Sequence, residues 1–402
     1  MQQKNRTGSE KKFNGGQRKK KPAHGQHNNR KQKQSTLDNR IFTQKAKPLV
    51  EHSYSPETSI ASLPIDKRII DNLLLKGYRQ PTEIQEKSFV PLSKGKNIIG
   101  LAQTGTGKTA AFLVPLVHRL INVPAAFQVI VIAPTRELAL QIEEELKSIT
   151  RGLKIYSEVF IGGTSVGRDI QKLQRASHFI IGTPGRLHDM ANQGALKFST
   201  FDTLVLDEFD RLLDMGFAAD IKKMASAMRS RRQTILFSAT EDPGQKKLIN
   251  ELLKDPVEIR VNWNNVSGDH IEQEAIHVKD GENKMDLLVS LLNQPSFQKV
   301  IVFAETKRWV TKVYRELKKR GIKTDEIHGN KSQSYRQKAL MDFKTSKIKV
   351  LVATDVAARG IDVNEVSHVI NYQKPKNLDS YIHRIGRTGR AGKSGKAYTF
   401  IN

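Results

Sequence analysis

The segment Asn97-Ile-Ile-Gly-Leu-Ala-Gln-Thr-Gly-Thr-Gly-Lys-Thr109 joins a short apolar run to a longer helical one, beginning Ala110-Ala-Phe-Leu-Val114, through a turn of glycine and threonine. Strand, Gly/Thr turn and helix, in that order, is the context a phosphate-binding loop requires. Gly105 and Gly107 let the backbone close on a phosphate, where inward N–H groups and the helix N-terminus favour negative charge. Lys108 is expected to reach the terminal phosphates and the Thr109 hydroxyl to take one Mg²⁺ position, with Thr104 and Thr106 inside the turn. Ala102 stands where the general pattern has its first glycine, so the motif alone leaves a chance Gly/Thr loop open.

Working outward, the same texture recurs. Short β-rich runs at Asn97 to Leu101, Gln128 to Ala133, Phe179 to Thr183, Thr203 to Asp207 and Thr234 to Ala239 alternate with helical stretches such as Glu137 to Ile149. Such alternation implies α/β architecture, parallel sheets covered by helices. The polar segment Asn262 to Asp269 breaks the rhythm, and the alternation resumes through Lys299 to Ala304, Lys349 to Thr354 and His368 to Tyr372. The expected organisation is a tail over 1–58, a first unit over 59–260, a linker over 261–270 and a second unit over 271–402.

Charge and composition narrow the function. Against 41 Asp and Glu stand 67 Lys and Arg, a net +26 that favours polyanionic partners. Residues 1–50 hold 14 of these cations and only Glu10 and Asp38 as acids. With Met1, Phe13, Ala23 and Leu37 as the only apolar residues of the first forty, this stretch reads as a disordered basic tail. The absence of cysteine excludes disulfides, thiolate metal sites and cysteine nucleophiles. No apolar run is long enough to span a bilayer or serve as a signal peptide, so a cytoplasmic protein with no membrane attachment is expected.

A hundred residues past the loop, Leu204-Val-Leu-Asp-Glu-Phe-Asp210 puts Asp207 and Glu208 at the end of a buried strand, where open α/β sheets bind ligands. Asp207 suits Mg²⁺ and Glu208 suits positioning an attacking water. Alone, such acids are more often solvated turn residues; with the phosphate loop, the two motifs support each other.

From Gly77 to Arg390 the motifs, in order, resemble the DEAD-box RNA helicases of superfamily 2, over about 340 of the 402 residues. The resemblance implies two tandem RecA-like domains with a cleft between them. Gly77-Tyr78, Pro81-Thr82 and Ile84-Gln85 look like the Q motif, implying that Gln85 reads the adenine edge and that Tyr78 is also among the nucleotide-binding residues; Ile60 stands in place of that motif's upstream aromatic. The family's Asp-Glu-Ala-Asp is here Asp207-Glu208-Phe209-Asp210, a variant in which a ring replaces a methyl. Read on a strand, Phe209 is expected to point to the face opposite Glu208 and to pack under the sheet. Ala133-Pro-Thr-Arg-Glu-Leu-Ala139, Gly162-Gly163 and Thr183-Pro-Gly-Arg186 resemble the first-domain RNA motifs, each after a strand, implying backbone contacts from Pro134, Thr135, Arg136, Gly162, Gly163, Thr183, Pro184 and Arg186. As local geometry, Thr135 is equally a helix N-cap with Glu137 in the first turn. Ser238-Ala239-Thr240 resembles the motif coupling nucleotide state to unwinding, through hydrogen bonds towards Asp210.

The second unit completes the pattern. His383-Arg-Ile-Gly-Arg-Thr-Gly-Arg390 resembles the motif in which Arg387 and Arg390 reach the γ-phosphate from across the cleft. Ala353-Thr-Asp-Val-Ala-Ala-Arg-Gly-Ile-Asp362 implies RNA contacts from Thr354 and Arg359 and a ribose contact from Asp362; Gln333 and Arg336 fit the family's Q-x-x-R. The implied catalytic set is Lys108, Asp207, Glu208, Asp210, Arg387 and Arg390. ATP and Mg²⁺ are the implied cofactors, RNA the implied partner, and the activity ATP-dependent separation of short duplexes or remodelling of RNA–protein complexes by a monomer. Ribosomal or RNA-decay protein partners stay open. Two other classes remain: a DNA translocase of the same superfamily, which would lack Gln85 in its setting, and a non-catalytic RNA clamp, against which intact Lys108, Glu208 and Arg387 argue.

Overall fold

The computed structural model describes residues 37–46, 54–103, 105–123, 125, 128–240, 243–261, 271–358, 366–389 and 395–401. Residues 1–36 of the basic tail, most of the expected linker (262–270) and the candidate site residues Thr104, Arg359, Asp362 and Arg390 lie outside them.

The chain builds two all-parallel sheets. The first part runs α1 (Lys67–Leu75), α2 (Glu83–Ser93), β1 (Ile98–Leu101), α3 (Lys108–Asn122), β2 (Val129–Ile132), α4 (Arg136–Ile149), β3 (Ser157–Phe160) and α5 (Val166–Leu173). It continues through β4 (Phe179–Gly182), α6 (Pro184–Asn192), β5 (Thr203–Leu206), α7 (Phe209–Asp214), α8 (Ala218–Ala227), β6 (Gln233–Ser238), α9 (Pro243–Leu252) and β7 (Val257–Arg260). Its sheet has seven strands in the order β3-β4-β2-β5-β6-β1-β7. The second part comprises β8 (Ile271–His277), α10 (Lys284–Leu292), β9 (Val300–Phe303), α11 (Lys307–Lys319), β10 (Thr324–Ile327), α12 (Gln333–Lys344), β11 (Val350–Ala353), α13 (Asp355–Ala358), β12 (His368–Asn371), α14 (Leu378–Ile385) and β13 (Gly395–Ile401). Its six strands are ordered β10-β11-β9-β12-β13-β8.

The central strands are buried at every position, which is why β2 reads Val-Ile-Val-Ile and β9 Val-Ile-Val-Phe without alternation: both faces carry helices. On one face of the first sheet Phe112, Leu116, Ile142 and Phe237 form a core; on the other, Phe160, Met190, Phe201 and Phe209 form a second. The second sheet is likewise covered twice, by clusters around Phe303 and Phe343 and around Val313 and Phe400. Helices that follow central strands start on polar caps at the strands' carboxyl ends. Thr135 Oγ1 accepts from Leu138 N–H at 3.2 Å, and Thr306 Oγ1 from Trp309 N–H at 3.3 Å. The fold thus gathers hydroxyls and helix N-termini on one edge of each sheet.

Two findings correct the sequence reading. Phe209 is the first residue of α7, because β5 ends at Leu206; its ring is nonetheless fully buried. Residues 37–46 and 54–58, assigned above to the tail, are anchored at a few points: Phe42 is fully buried in the second sheet's core, and Thr58 donates to Glu86 Oε1 on α2 through N–H and Oγ1, at 3.0 and 2.6 Å. No helix among the described residues is long and apolar enough to cross a membrane.

Candidate active site

Between β1 and α3 the chain turns through two left-handed glycines, Gly105 at φ 88° and Gly107 at φ 89°. Gly107 also leaves no room for a side chain, since a Cβ there would stand 2.4 Å from Gln85 Nε2. Gln85 is why: its Nε2 donates to Gly107 O at 3.1 Å, while its Oε1 accepts from Thr82 N–H at 3.1 Å to close the cap of α2. The glutamine expected to read adenine therefore also fixes the phosphate loop, a role that its spacing from Gly107 does not reveal. Lys108 is buried, with Nζ donating to Ala102 O at 2.6 Å, and Thr106 Oγ1 donates to Gln103 O at 2.8 Å. Thr109 is the second residue of α3, half-buried.

The acids face this loop from the end of β5. Asp207, Glu208 and Asp210 are all buried, and Asp207 Oδ1 accepts from Glu208 N–H at 2.9 Å. Burial pushes the Asp207 carboxyl up to about 6 against the pull of the Lys108 ammonium, and the charges of Glu208 and Asp210 add to the rise. Asp210 is raised for the same first reason, burial. Glu208 adopts φ 48°, ψ 56°, a left-handed conformation that a non-glycine residue seldom takes. Its Oε2 lies 3.4 Å from Arg211 Nε, yet Glu208 Oε2, Asp210 Oδ1 and Arg211 Nη1 are buried with no hydrogen-bond partner. From the end of β6, Thr240 Oγ1 donates to Asp210 Oδ2 at 3.3 Å, the link expected of Ser238-Ala239-Thr240; Ser238 Oγ donates to Thr240 O at 2.7 Å.

Tyr78 is half-buried, and its hydroxyl donates to Glu145 Oε1 on α4 at 3.0 Å. Ile60 is in the core with its N–H on Arg79 O at 3.1 Å, and with Tyr78, Gln85, Phe89 and Val114 it lines a small apolar cavity of about 20 Å³ beside α3.

The remaining motif residues converge along the carboxyl edge of the first sheet. Arg136 lies over the backbone of Gly162 and Gly163, where added Cβ atoms would meet its guanidinium at 3.0 and 2.5 Å. Thr183 precedes α6, with Pro184 buried in its first turn. Arg186, expected among the RNA contacts, is buried and turned inward: Nη1 donates to Asp169 Oδ2 at 2.9 Å and Nη2 to Thr164 O at 2.7 Å. It shapes the loop after Gly163. Glu137, read only as a first-turn acid, is buried and accepts from Arg336 Nη2 at 2.7 Å and Gln333 Nε2 at 3.2 Å, joining α4 to α12 of the second sheet. The only sequence signal for this link was Gln333 and Arg336 themselves.

On the second sheet, Thr354 is buried at the start of α13, its Oγ1 accepting from Ala357 N–H at 3.4 Å. The arginines of the His383 motif divide. Arg384 is an anchor: it pairs with Asp355 through Nη2–Oδ2 at 2.9 Å, and its Nη1 donates to Gln373 O at 2.8 Å and Asn371 Oδ1 at 3.2 Å. Arg387 follows one turn later, buried beside Phe303, Asp355 and His383.

Residues 82–249 match the family model described as DEAD/DEAH box helicase, and residues 283–392 that described as helicase conserved C-terminal domain. The chain is 43% identical over 325 residues to the DEAD-box ATP-dependent RNA helicase CshA of Streptococcus pneumoniae, covering 81% of this chain and 62% of that relative's length, less than two thirds. With the CshA of Geobacillus kaustophilus it shares 41% identity over 345 residues, 86% of this chain and 73% of that one. Of solved structures, S. cerevisiae Dbp5 bound to RNA and ADP BeF3 superposes with a TM-score of 0.77 at 30% identity, covering 86% of this chain and 89% of that one. Mss116p bound to ssRNA and AMP-PNP gives 0.77 at 33% identity, over 86% and 75%.

Proposed function

Since the chain belongs to the DEAD-box RNA helicase family, we propose that it is an ATP-dependent RNA helicase that separates short duplexes or remodels RNA–protein complexes, with Asp207-Glu208-Phe209-Asp210 as its variant of the family's acidic box. The observation that carries this reading is the convergence of Lys108, Asp207, Glu208, Asp210 and Thr240 from the ends of β1, β5 and β6.

In this reading the Gly105 to Gly107 backbone and Lys108 hold the phosphates of ATP, and Glu208 orients the attacking water. Thr109 and Asp207 are the residues that would hold Mg²⁺, which when bound neutralises charge on the phosphate oxygens. Asp207 fits that task because its buried carboxyl is disfavoured as an anion and a cation relieves it. Gln85 contacts adenine, Asp362 the ribose, and Arg387 with Arg390 the γ-phosphate, where such cations contribute roughly 10³ to 10⁵ in rate.

RNA lies along Pro134, Thr135, Arg136, Gly162, Gly163, Thr183 and Pro184 and continues to Thr354 and Arg359, gripped by its backbone without base readout. Arg186 supports the loop from beneath. The Glu137 link to Gln333 and Arg336 favours the arrangement in which both sheets face one ligand, so that RNA and ATP, each touching both halves, bind with positive coupling. Phosphate release by the purified chain, with and without single-stranded RNA, tests this: RNA is expected to raise the rate, and a rate indifferent to RNA would remove the helicase reading.

A further inference from the structure

Residues 37–46 precede every motif above, yet they are built onto the second sheet. Asp38 caps a 3₁₀ turn, Asn39–Phe42, accepting from Arg40 N–H at 2.9 Å. Gln44 then forms an antiparallel bridge with Gln273 on β8, N–H to O in both directions at 2.9 and 2.8 Å. As β8 is an edge of the second sheet, this bridge covers backbone groups that would otherwise be open to pairing. Lys374 Nζ donates to Asn39 Oδ1 at 2.8 Å and stands over the Phe42 ring, 5.6 Å from its centroid.

What Phe42 touches gives the segment a consequence. Its fully buried ring meets Tyr381 edge-on with centroids 5.0 Å apart, and the Tyr381 hydroxyl donates to Gln273 Oε1 at 2.7 Å. Tyr381 lies on α14, whose last turn leads to Arg387 six residues on. At eight residues this helix is too short to hold its own conformation. It is fixed from one side by Arg384 on Asp355, Asn371 and Gln373, and from another by Phe42 and the Gln44 bridge behind Tyr381. A charge that stabilises a transition state contributes only when held within a fraction of an ångström of its place.

We propose that Phe42 is a positioning residue for Arg387: the N-terminal strap 37–46 locks α14 onto the second sheet and so sets where the Arg387 guanidinium stands during ATP hydrolysis. This rests on the reading of Arg387 given above.

The test compares the full chain with Phe42→Ala, Phe42→Leu, Gln44→Pro, Arg387→Ala and the double variant Phe42→Ala/Arg387→Ala, in RNA-stimulated phosphate release well below each melting temperature. Phe42→Ala is expected to lower kcat about tenfold or more with the KM for ATP changed by less than about twofold, since the phosphate loop and Gln85 carry most of the ground-state contacts and Arg387 acts on the transition-state charge. Phe42→Leu, which refills most of the space, should recover most of that loss. Gln44→Pro removes the bridging N–H without opening the core, and should reproduce the kcat loss in part even if Phe42→Ala does not fold. If both variants act through Arg387, the double variant is no slower than Arg387→Ala. A parent-like kcat in Phe42→Ala or Gln44→Pro, or additive losses in the double variant, overturns the proposal. Full activity in Arg387→Ala would instead remove the reading beneath it.

Discussion

Glu208 carries its carboxylate on a backbone at φ 48°, a conformation worth of order 1–3 kcal/mol of strain that the packing of α7 must hold in place. In that conformation Glu208 Oε2 lies 3.4 Å from Arg211 Nε. Glu208→Gln keeps that shape and removes the charge, so ATP and RNA binding should stay close to the parent while turnover is lost; equal phosphate release in the two proteins would take Glu208 out of the mechanism. Its neighbour behaves differently. Phe209 opens α7 fully buried among Phe160, Leu187, Leu206 and Leu212, so Phe209→Ala should cost about 3 to 5 kcal/mol even though it restores the family residue. A denaturant titration checks this, and an unchanged midpoint with an altered hydrolysis rate would mean that the ring tunes chemistry. The two residues also mark where the sequence was readable. Lys108 and Asp207 follow from strand, loop and acid in order. That Phe209 begins a helix depends on where β5 stops, which the apolar run through Leu206 and the acids after it do not determine. The resemblance singles out Arg387, but that Arg384 is an anchor shows only in its bonds to Asp355, Asn371 and Gln373.

Strands differ in legibility for a physical reason. β1, β2, β4, β5, β6, β9, β11 and β12 lie inside their sheets, are shielded on both faces, and announce themselves as apolar runs. β7, β8 and β10 are sheet edges, half-exposed and carrying charges, as in Val-Glu-Ile-Arg and Thr-Asp-Glu-Ile, and the sequence hides them; β3, the fourth edge, is betrayed only by the Gly162-Gly163 that follows it. Burial inside a sheet also leaves a titratable mark. His368 on β12 stacks on Phe297 with centroids 3.9 Å apart, and burial, with Lys396 nearby, lowers its pKa from 6.5 to about 4. The folded chain thus refuses a proton that the unfolded chain accepts. The contribution of His368 to stability is complete above about pH 6.5 and declines as pH falls towards 4, where the folded imidazole also protonates. Melting temperatures should fall through that window, and His368→Gln should flatten the decline. Some slope will persist, because His178 and His328 are also held below their ordinary value by burial. A parent-like slope in His368→Gln would mean that another group senses the proton.

At the scale of the whole chain, the amino-terminal segment does two separate things, and truncation can part them. Residues 1–36 hold eleven Lys and Arg with one acid, Glu10, whereas Phe42 and Gln44, which engage the second sheet, come later. Further on, Thr58 is fastened to Glu86 on α2 beside the first sheet, so one short stretch of chain is anchored to both. Ala46 and Tyr54 are eight peptide steps apart, which limits their separation to about 28 Å however the two sheets move while both anchors hold. Composition alone reads all of this as tail, because Phe42 is a single ring in a polar setting and its partner Tyr381 lies more than three hundred residues away. Deleting 1–36 removes only the excess cations. Affinity for a single strand should fall, and the slope of log affinity against log salt should flatten by roughly 0.7 for each phosphate no longer neutralised, with kcat at saturating RNA unchanged. Deleting 1–53 removes the strap as well, and kcat should then fall too, because α14 loses the ring behind Tyr381. Titrating one labelled strand at several salt concentrations, alongside phosphate release, separates the two effects. Superimposable slopes for the parent and the shorter truncation would mean that the cations do not meet RNA, and equal kcat in the two truncations would mean that the strap does not support the arginine helix.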